Sequence, residues 1–133
     1  LVNVSNIKLI YKEPTNEEIY LKGDYERLKQ VIINLLKNSL ESIEKKGKIE
    51  IYTNICKKYI DIIVEDNGKG MDSKTQRHIF DAGYTTKERG WGLGLPLAKR
   101  IVEQYHGGKL LLKHTQQGVG STFRIVLKKP ENS

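Results

Sequence analysis

Cysteine is scarce in this sequence, and no apolar run is long enough to span a membrane. Cys56 is the only cysteine in the 133 residues, which excludes an intrachain disulfide framework and a metal site built from several cysteines. No stretch approaches the roughly 20 apolar residues of a transmembrane helix. The chain starts at Leu1 without a signal-peptide pattern. We therefore expect a fragment of a longer protein, cytoplasmic and not itself membrane-inserted, whether or not the parent protein carries an anchor.

Internal repeats and linkers are missing as well. With 38% hydrophobic and 29% charged residues, the composition fits one globular domain with a modest core. We expect residues 1–133 to form that domain, with residues 129–133 frayed. The net charge of +7 admits a polyanionic partner, but the lysines are scattered, which is more typical of a solvated basic surface. We expect no nucleic-acid partner.

Hydrophobic periodicity predicts an alternation of helices and strands. Apolar spacing of three and four residues predicts a long helix that begins at the N-cap Asp24 and ends near Gly47. Another helix begins at Pro96 and stops at Gly107-Gly108, and 74–79 is weakly helical. The glycine-rich segment between residues 66 and 95 is typical of a functional or disordered loop. Strands are predicted at 7–12, 19–22, 49–55, 60–64, 109–113 and 122–127.

Polar residues occupy one face of the first long helix. Asn34, Asn38 and Glu41 share this face, since offsets of four and seven residues return to nearly the same angle. Asparagine inside a helix costs about 0.5 kcal/mol relative to alanine. Two aligned asparagines therefore indicate a polar site, with a solvated helix face as the alternative.

A carboxylate ends one of the predicted strands. Period-two alternation directs Asp66 to the same side as Ile62 and Val64, toward the core. A buried carboxylate needs hydrogen-bond donors, which the exocyclic amine of a ligand and a water would supply. The glycines of the following turn, Gly68 and Gly70, would let a planar ligand approach the backbone. A helix-capping Asp before a turn is the alternative.

A second glycine-rich stretch, residues 90–94, leads into the helix of Pro96. Unpaired N–H groups and the helix dipole favour a phosphate at such a place, and Lys87 and Arg89 would add positive charge. A mobile loop is the alternative. The P-loop signature and the signatures of Ser/Thr/Tyr kinases are absent.

Five short motifs follow one another with a characteristic order and spacing: residues 34–39, 66–71, 79–87, 90–95 and 118–122. They resemble the asparagine box, the first glycine box, the phenylalanine box and the second and third glycine boxes of sensor histidine kinase catalytic domains. These domains belong to the Bergerat superfamily of ATPases, together with gyrase and MutL. The resemblance runs from about residue 7 to residue 127. It implies a two-layer α/β sandwich, with a mixed sheet of about five strands covered on one face by three helices.

The resemblance also implies a site for ATP and Mg²⁺. Asn38 would ligate the metal, and Asn34 would be its catalytic neighbour. Asp66 would accept a hydrogen bond from the adenine amino group, with Thr122 lining the same pocket, and residues 81–92 would form a lid over the phosphates. Lys87 would take part in catalysis. The other nucleotide contacts implied are Gly68, Gly70, Phe80, Thr86, Lys87, Arg89, Gly90, Gly92, Leu93 and Gly94.

The implied reaction is transfer of the ATP γ-phosphate to a histidine on a separate dimerisation and phosphoacceptor domain, followed by a phosphorelay to a response regulator. The full-length kinase would be a homodimer. His78, His106 and His114 all lack the acidic residue that follows the acceptor histidine in this family. We therefore expect the chain alone to bind ATP without phosphorylating itself.

The chain departs from the family pattern at two places. Many relatives carry Lys and then an aromatic residue near adenine where this chain has Glu41-Ser42, which leaves an aromatic stack on adenine open. Glutamate there is closer to the nitrogen-regulation and sporulation kinases. Trp91 stands where the second glycine box often has threonine.

Two other functions are weighed against this one. Relatives that hydrolyse ATP or phosphorylate serine, such as gyrase, MutL and anti-sigma factor kinases, usually carry Glu as a general base at the position of Asn34. An amide is no base at neutral pH, so Asn34 favours transfer to an imidazole, which is nucleophilic when neutral. A non-enzymatic basic module is the other alternative. It would bind DNA in a salt-dependent way and gain no stability from Mg-ATP.

Overall fold

The computed structural model of the chain describes residues 7–12, 24–83 and 94–129. The predicted strand at 19–22 lies outside these residues. The elements, in chain order, are β1 (Ile7–Lys12), α1 (Tyr25–Ser42), β2 (Gly47–Ile55), β3 (Tyr59–Asp66), α2 (Ser73–His78), α3 (Gly94–Arg100) with a π-helical turn (Ile101–Tyr105), β4 (Lys109–Gln116) and β5 (Gly120–Lys128).

The five strands form one mixed sheet in the order β1-β2-β3-β5-β4. β1 runs parallel to β2, and the other neighbouring pairs are antiparallel. In the β3–β5 register, Asp66 lies opposite Ser121, and Glu65 lies opposite Thr122. Because successive residues of a strand face opposite sides of the sheet, Asp66 and Ser121 share one face, and Glu65 and Thr122 share the other.

The core lies between the sheet and the helices. Leu35 of α1, Val102 after α3, and Phe123 of β5 are all fully buried in it. Ile79 and Phe80, which follow α2, pack against the same cluster. The predicted α/β fold, a mixed five-stranded sheet with three helices, is therefore confirmed. Within the described residues, no helix is both long enough and apolar enough to cross a bilayer.

Helix α1 begins as predicted and ends earlier. Asp24 is the N-cap, and its Oδ1 accepts a hydrogen bond from the Arg27 N–H at 3.3 Å, which satisfies an unpaired amide of the first turn. The predicted end near Gly47 is wrong, since Ser42 is the last helical residue and Gly47 opens β2. Ile43 is extended instead, with φ −98° and ψ 116°. This conformation accompanies burial of its side chain in the core.

The segment after α1 is also fixed by a neighbouring loop. The N–H of Lys69 donates to the carbonyl oxygen of Ser42 at 2.9 Å, a carbonyl at the helix end that has no partner within the helix. Contacts with residues distant in sequence therefore set the end of α1, and Gly47 does not.

The last helix begins within the described residues at Gly94, so Pro96 lies in its first turn, where a missing N–H costs little. Gly107 has φ +63°, a left-handed conformation that favours glycine, and the Gly108 N–H donates to the carbonyl oxygen of Val102 at 2.9 Å. The predicted stop at Gly107-Gly108 is confirmed.

Two further sets of hydrogen bonds complete the frame. Asp72 caps α2, and hydrogen bonds from Thr75 hold the pKa of the Asp72 carboxyl below its usual range. At the other end of the chain, the N–H of Lys129 donates to the carbonyl oxygen of Lys58 at 2.9 Å. The first residue of the tail that we expected to fray is thus held by β-type pairing, and residues 130–133 lie outside the described part.

Candidate functional site

Asp66 is buried at the end of β3, as predicted, and 5% of the residue is exposed. Its Oδ1 accepts two hydrogen bonds, from the Gly68 N–H at 2.9 Å and from the Ser42 hydroxyl at 3.0 Å. Its Oδ2 is buried and has no hydrogen-bond partner among the described residues. A buried carboxylate oxygen without a donor is energetically costly, so Oδ2 is an acceptor available to a ligand.

Asp66 does not cap a helix, which was the alternative interpretation. The next helix, α2, begins at Ser73 and has Asp72 as its own N-cap. The bond from the Gly68 N–H to Asp66 closes a local turn instead.

The loop after Asp66 is wedged between α1 and the β4–β5 hairpin. A Cβ added to Gly68 would lie 2.0 Å from the Ser42 Oγ, and one added to Gly70 would lie 2.0 Å from the carbonyl oxygen of Gln116. The Gly118 N–H also donates to the carbonyl oxygen of Lys69 at 2.7 Å. Both glycines are therefore required by close backbone packing, and their contact with a nucleotide stays a prediction.

The structure places Ser121, and not the side chain of Thr122, on the face of Asp66. Thr122 donates its hydroxyl to Oε1 of Glu65 at 3.3 Å on the opposite face. The Thr122 side chain therefore does not lie beside the Asp66 carboxylate, and the predicted contact of Thr122 with the nucleotide stays a prediction. Ser121 Oγ lies 2.8 Å from Thr115 Oγ1, which in turn accepts from the Met71 N–H at 3.0 Å. Alternation counted back from the buried Phe123 would have identified Ser121.

A cavity of about 320 Å³ opens on the face of the sheet opposite the described helices, at the same end. One row of paired strand positions lines its wall: Glu50, Glu65, Thr122 and His114. Asp66 also borders this cavity, but its carboxylate is bonded to Ser42 of α1, on the helix side. We therefore place the candidate site at the helix side and not in this cavity.

The asparagine box and the second glycine box meet between α1 and α3. The side-chain Nδ2 of Asn34 donates to the carbonyl oxygen of Gly94 at 3.2 Å. Asn38 lies one turn further along the same face and is half-buried. Within the described ranges, no group of three or more His, Cys, Asp or Glu could hold a metal ion.

Phe80 of the phenylalanine box packs on the core. Its ring meets the Phe123 ring edge-on, at 6.3 Å between centroids and an interplanar angle of 82°. Lys99 Nζ lies 4.8 Å from the centroid of the Phe80 ring, and forms a salt bridge of 3.0 Å with Glu103. The observed role of Phe80 is therefore packing, and its contact with a nucleotide stays a prediction. The remaining candidates lie outside the described residues: Thr86, Lys87, Arg89, Gly90, Trp91, Gly92 and Leu93.

Two of the three histidines have structural partners. His78 Nδ1 lies 2.7 Å from Asp81 Oδ2. His106 Nε2 accepts from the Asp24 N–H at 2.9 Å, and its Nδ1 lies 2.9 Å from the carbonyl oxygen of Ile101. With Nε2 as acceptor, Nδ1 carries the proton and donates to that carbonyl. His114 is exposed on β4, on the face opposite the candidate site.

Curated relatives of this chain are sensor kinases. It is 37% identical to "Sporulation kinase C" of Bacillus subtilis (strain 168) over 124 residues, which are 93% of this chain and 28% of that protein. It is 40% identical to "Signal transduction histidine-protein kinase AtoS" of Escherichia coli (strain K12) over 119 residues, which are 86% of this chain and 19% of that protein. The chain thus spans less than a third of the length of either relative.

Solved structures of histidine kinases superpose on this chain. The nucleotide-free catalytic domain of histidine kinase ThkA superposes with a TM-score of 0.81 at 31% identity, covering 93% of this chain and 80% of that one. ThkA in complex with the response regulator protein TrrA superposes with a TM-score of 0.77 at 28% identity, covering 96% of this chain and 35% of that one. Residues 23–131 match the family described as "Histidine kinase-, DNA gyrase B-, and HSP90-like ATPase". The chain therefore belongs to this ATPase family and, within it, to the histidine kinase catalytic domains.

Proposed function

We propose that this chain is the ATP-binding catalytic domain of a two-component sensor histidine kinase, and that residues 1–133 form one such domain. It acts in the cytoplasm and transfers the γ-phosphate of ATP to a histidine on the separate dimerisation and phosphoacceptor domain of the same kinase. One observation carries the proposal: Asp66 Oδ2 is a buried, charged acceptor without a partner among the described residues. It lies in a chain of the histidine kinase catalytic type.

Asp66 binds the base of the nucleotide. The adenine amino group donates a hydrogen bond to Oδ2, which the described protein groups leave unsatisfied. The turn containing Gly68 and Gly70 borders the base, with Ser121 as the hydroxyl on the same face of the sheet. Guanine presents a carbonyl oxygen where adenine has its amino group, so a carboxylate at this place disfavours it.

The phosphates lie near the contact between α1 and α3. The amide oxygen of Asn38 is a hard ligand suited to Mg²⁺, which takes most of its other ligands from phosphate and water. A bound Mg²⁺ would neutralise charge on the phosphate oxygens. Asn34 and Gly94 line the same region. Phe80, Thr86, Lys87, Arg89, Gly90, Gly92 and Leu93 complete the proposed nucleotide contacts, with Lys87 also catalytic.

The acceptor is an imidazole and not water. In the transfer, the bond between the γ-phosphorus and the bridging oxygen of ADP breaks, a phosphorus–nitrogen bond forms, and the imidazole releases its proton to solvent. A neutral imidazole attacks without prior deprotonation, so the site needs no carboxylate base where Asn34 lies. Positioning of the two substrates then supplies most of the catalysis.

The parent kinase is a homodimer that passes the phosphoryl group to a response regulator. Support for the response regulator as a partner comes from the ThkA–TrrA structure, in which a related kinase is in complex with a response regulator. The acceptor lies outside this chain, because His78 and His106 are held by structural contacts and His114 lies on the opposite face of the sheet from Asp66.

Incubation with γ-labelled ATP and Mg²⁺ tests this function. The chain alone should remain unlabelled, and the dimerisation and phosphoacceptor domain of its parent kinase, added in trans, should gain acid-labile, base-stable label. Stoichiometric phosphohistidine at His78, His106 or His114 would contradict the location of the acceptor. Release of free phosphate without label on the acceptor would favour the ATPase alternative.

A further inference from the structure

Ser42 forms three connections at the end of α1. Its hydroxyl donates to Asp66 Oδ1 at 3.0 Å, and its carbonyl oxygen accepts from the Lys69 N–H at 2.9 Å. A Cβ on Gly68 would lie 2.0 Å from its Oγ, so the loop after Asp66 rests directly on this side chain. Ser42 thus joins the helix end, the loop and the carboxylate.

The hydroxyl of Ser42 has two acceptors in reach and one proton to donate. Asp66 Oδ1 lies at 3.0 Å, and the carbonyl oxygen of Ser39 lies at 3.1 Å. A hydrogen bond to an ionised carboxylate is about twice as strong as one to a neutral acceptor. The hydroxyl proton is therefore directed to Asp66.

The two oxygens of the Asp66 carboxylate are consequently not equivalent. Oδ1 receives both protein donors, Ser42 and the Gly68 N–H, whereas Oδ2 receives none from the described residues. Rotation of the carboxylate about its Cβ–Cγ bond would exchange the two oxygens, and it would have to break both bonds to Oδ1. One oxygen is therefore held in place for a ligand.

We infer that Ser42 is the positioning residue for Asp66, and that its hydroxyl fixes the carboxylate so that Oδ2 faces the amino group of the nucleotide base. Ser42 acts through Asp66 and does not itself bind the base. The inference rests on the proposed function, because it assumes that Asp66 binds adenine. It makes recognition of the amino group, rather than of the whole nucleotide, dependent on Ser42.

The test compares ATP with its 6-deamino analogue, purine riboside triphosphate, which lacks only the amino group. Calorimetry on the wild-type chain with Mg²⁺ should show a preference for ATP of about tenfold or more, as expected for a hydrogen bond to a charged group. Ser42→Ala should reduce this preference by about threefold or more, while affinity for the analogue changes by less than about twofold. Alanine is smaller and a strong helix former, so the variant should fold.

Thr115→Val is the matched control. It removes another hydroxyl beside the same loop, one that is bonded to the Met71 N–H and to Ser121 Oγ, and it forms no hydrogen bond with Asp66. Its preference for ATP over the analogue should equal that of the wild type, whatever its stability.

Two further outcomes distinguish a failure of the role of Ser42 from a failure of the proposed function. If the wild type prefers ATP and Ser42→Ala keeps the same preference, or loses affinity equally for both nucleotides, the role of Ser42 is overturned and the function stands. If the wild type binds neither nucleotide, the proposed function fails and the inference fails with it.

Discussion

Asn34 donates its side-chain N–H to the backbone carbonyl oxygen of Gly94 at 3.2 Å, which joins the middle of α1 to the first residue of α3. The bond orients the side-chain amide of Asn34, and it directs the remaining acceptor, Oδ1, away from the Gly94 carbonyl. It also makes the phosphate side of the proposed site dependent on how α1 and α3 pack together.

Asn34→Asp should weaken that packing. A carboxylate cannot donate to the Gly94 carbonyl and repels it, so the free energy of unfolding should fall by about 1 kcal/mol. Urea unfolding followed by circular dichroism measures the change. Gly94→Ala is the control, because its added Cβ would lie 3.9 Å from the nearest atom, in ordinary contact. A loss in Gly94→Ala as large as that in Asn34→Asp would show that the hydrogen bond is not the cause.

Asp66→Asn should fold and lose most of its response to nucleotide. The amide keeps an oxygen that accepts from Gly68 and Ser42. Its NH₂ group, however, would face the adenine amino group, and two donors cannot form a hydrogen bond with each other. Wild-type chain with Mg-ATP at about 100 times its dissociation constant should gain about 2.7 kcal/mol of stability. Thermal unfolding with and without Mg-ATP compares the two proteins, and an unchanged ATP affinity in Asp66→Asn would refute the adenine contact.

Asn38→Ala should impair binding of Mg-ATP more than binding of metal-free adenosine. The amide oxygen is the proposed ligand of the metal. Adenosine has no phosphates, so it does not bring that metal into the site. Calorimetric titrations of both ligands give the comparison. Equal losses in the two titrations would indicate a general fold defect.

Gly70→Ala should cost more stability than Gly118→Ala. The two glycines have similar left-handed backbones, with φ +69° and +78°, so the backbone strain of about 1 kcal/mol is common to both. Only Gly70 is crowded, since a Cβ there would lie 2.0 Å from the carbonyl oxygen of Gln116, whereas Gly118 has nothing within 4 Å. We expect a further 1–3 kcal/mol or so for Gly70→Ala. Denaturant unfolding of the pair would contradict this interpretation if the two losses were equal.

Local periodicity predicted which residues of a helix or strand are buried better than it predicted where these elements end. The burial of Asp66 follows from alternation along β3, which depends on a few adjacent residues. The end of α1 could not be predicted in this way, because burial of Ile43 and the bond from Lys69 to Ser42 fix it through contacts distant in sequence. The bond between Ser42 and Asp66 was missed for the same reason, since its partners are 24 residues apart.

The π-helical turn at Ile101–Tyr105 changes the phase of the last helix. A π-bulge inserts one residue into an α-helix, which rotates every later side chain by about 100°. Two residues at the far end of the turn contact the start of α1. The centroid of the Tyr105 ring lies 3.9 Å from the guanidinium carbon of Arg27, and His106 accepts a hydrogen bond from the Asp24 N–H. Both therefore depend on one extra residue in the helix. Deleting a single residue from 101–104 would turn both contacts away from α1 while leaving the amino-acid composition of the junction almost unchanged.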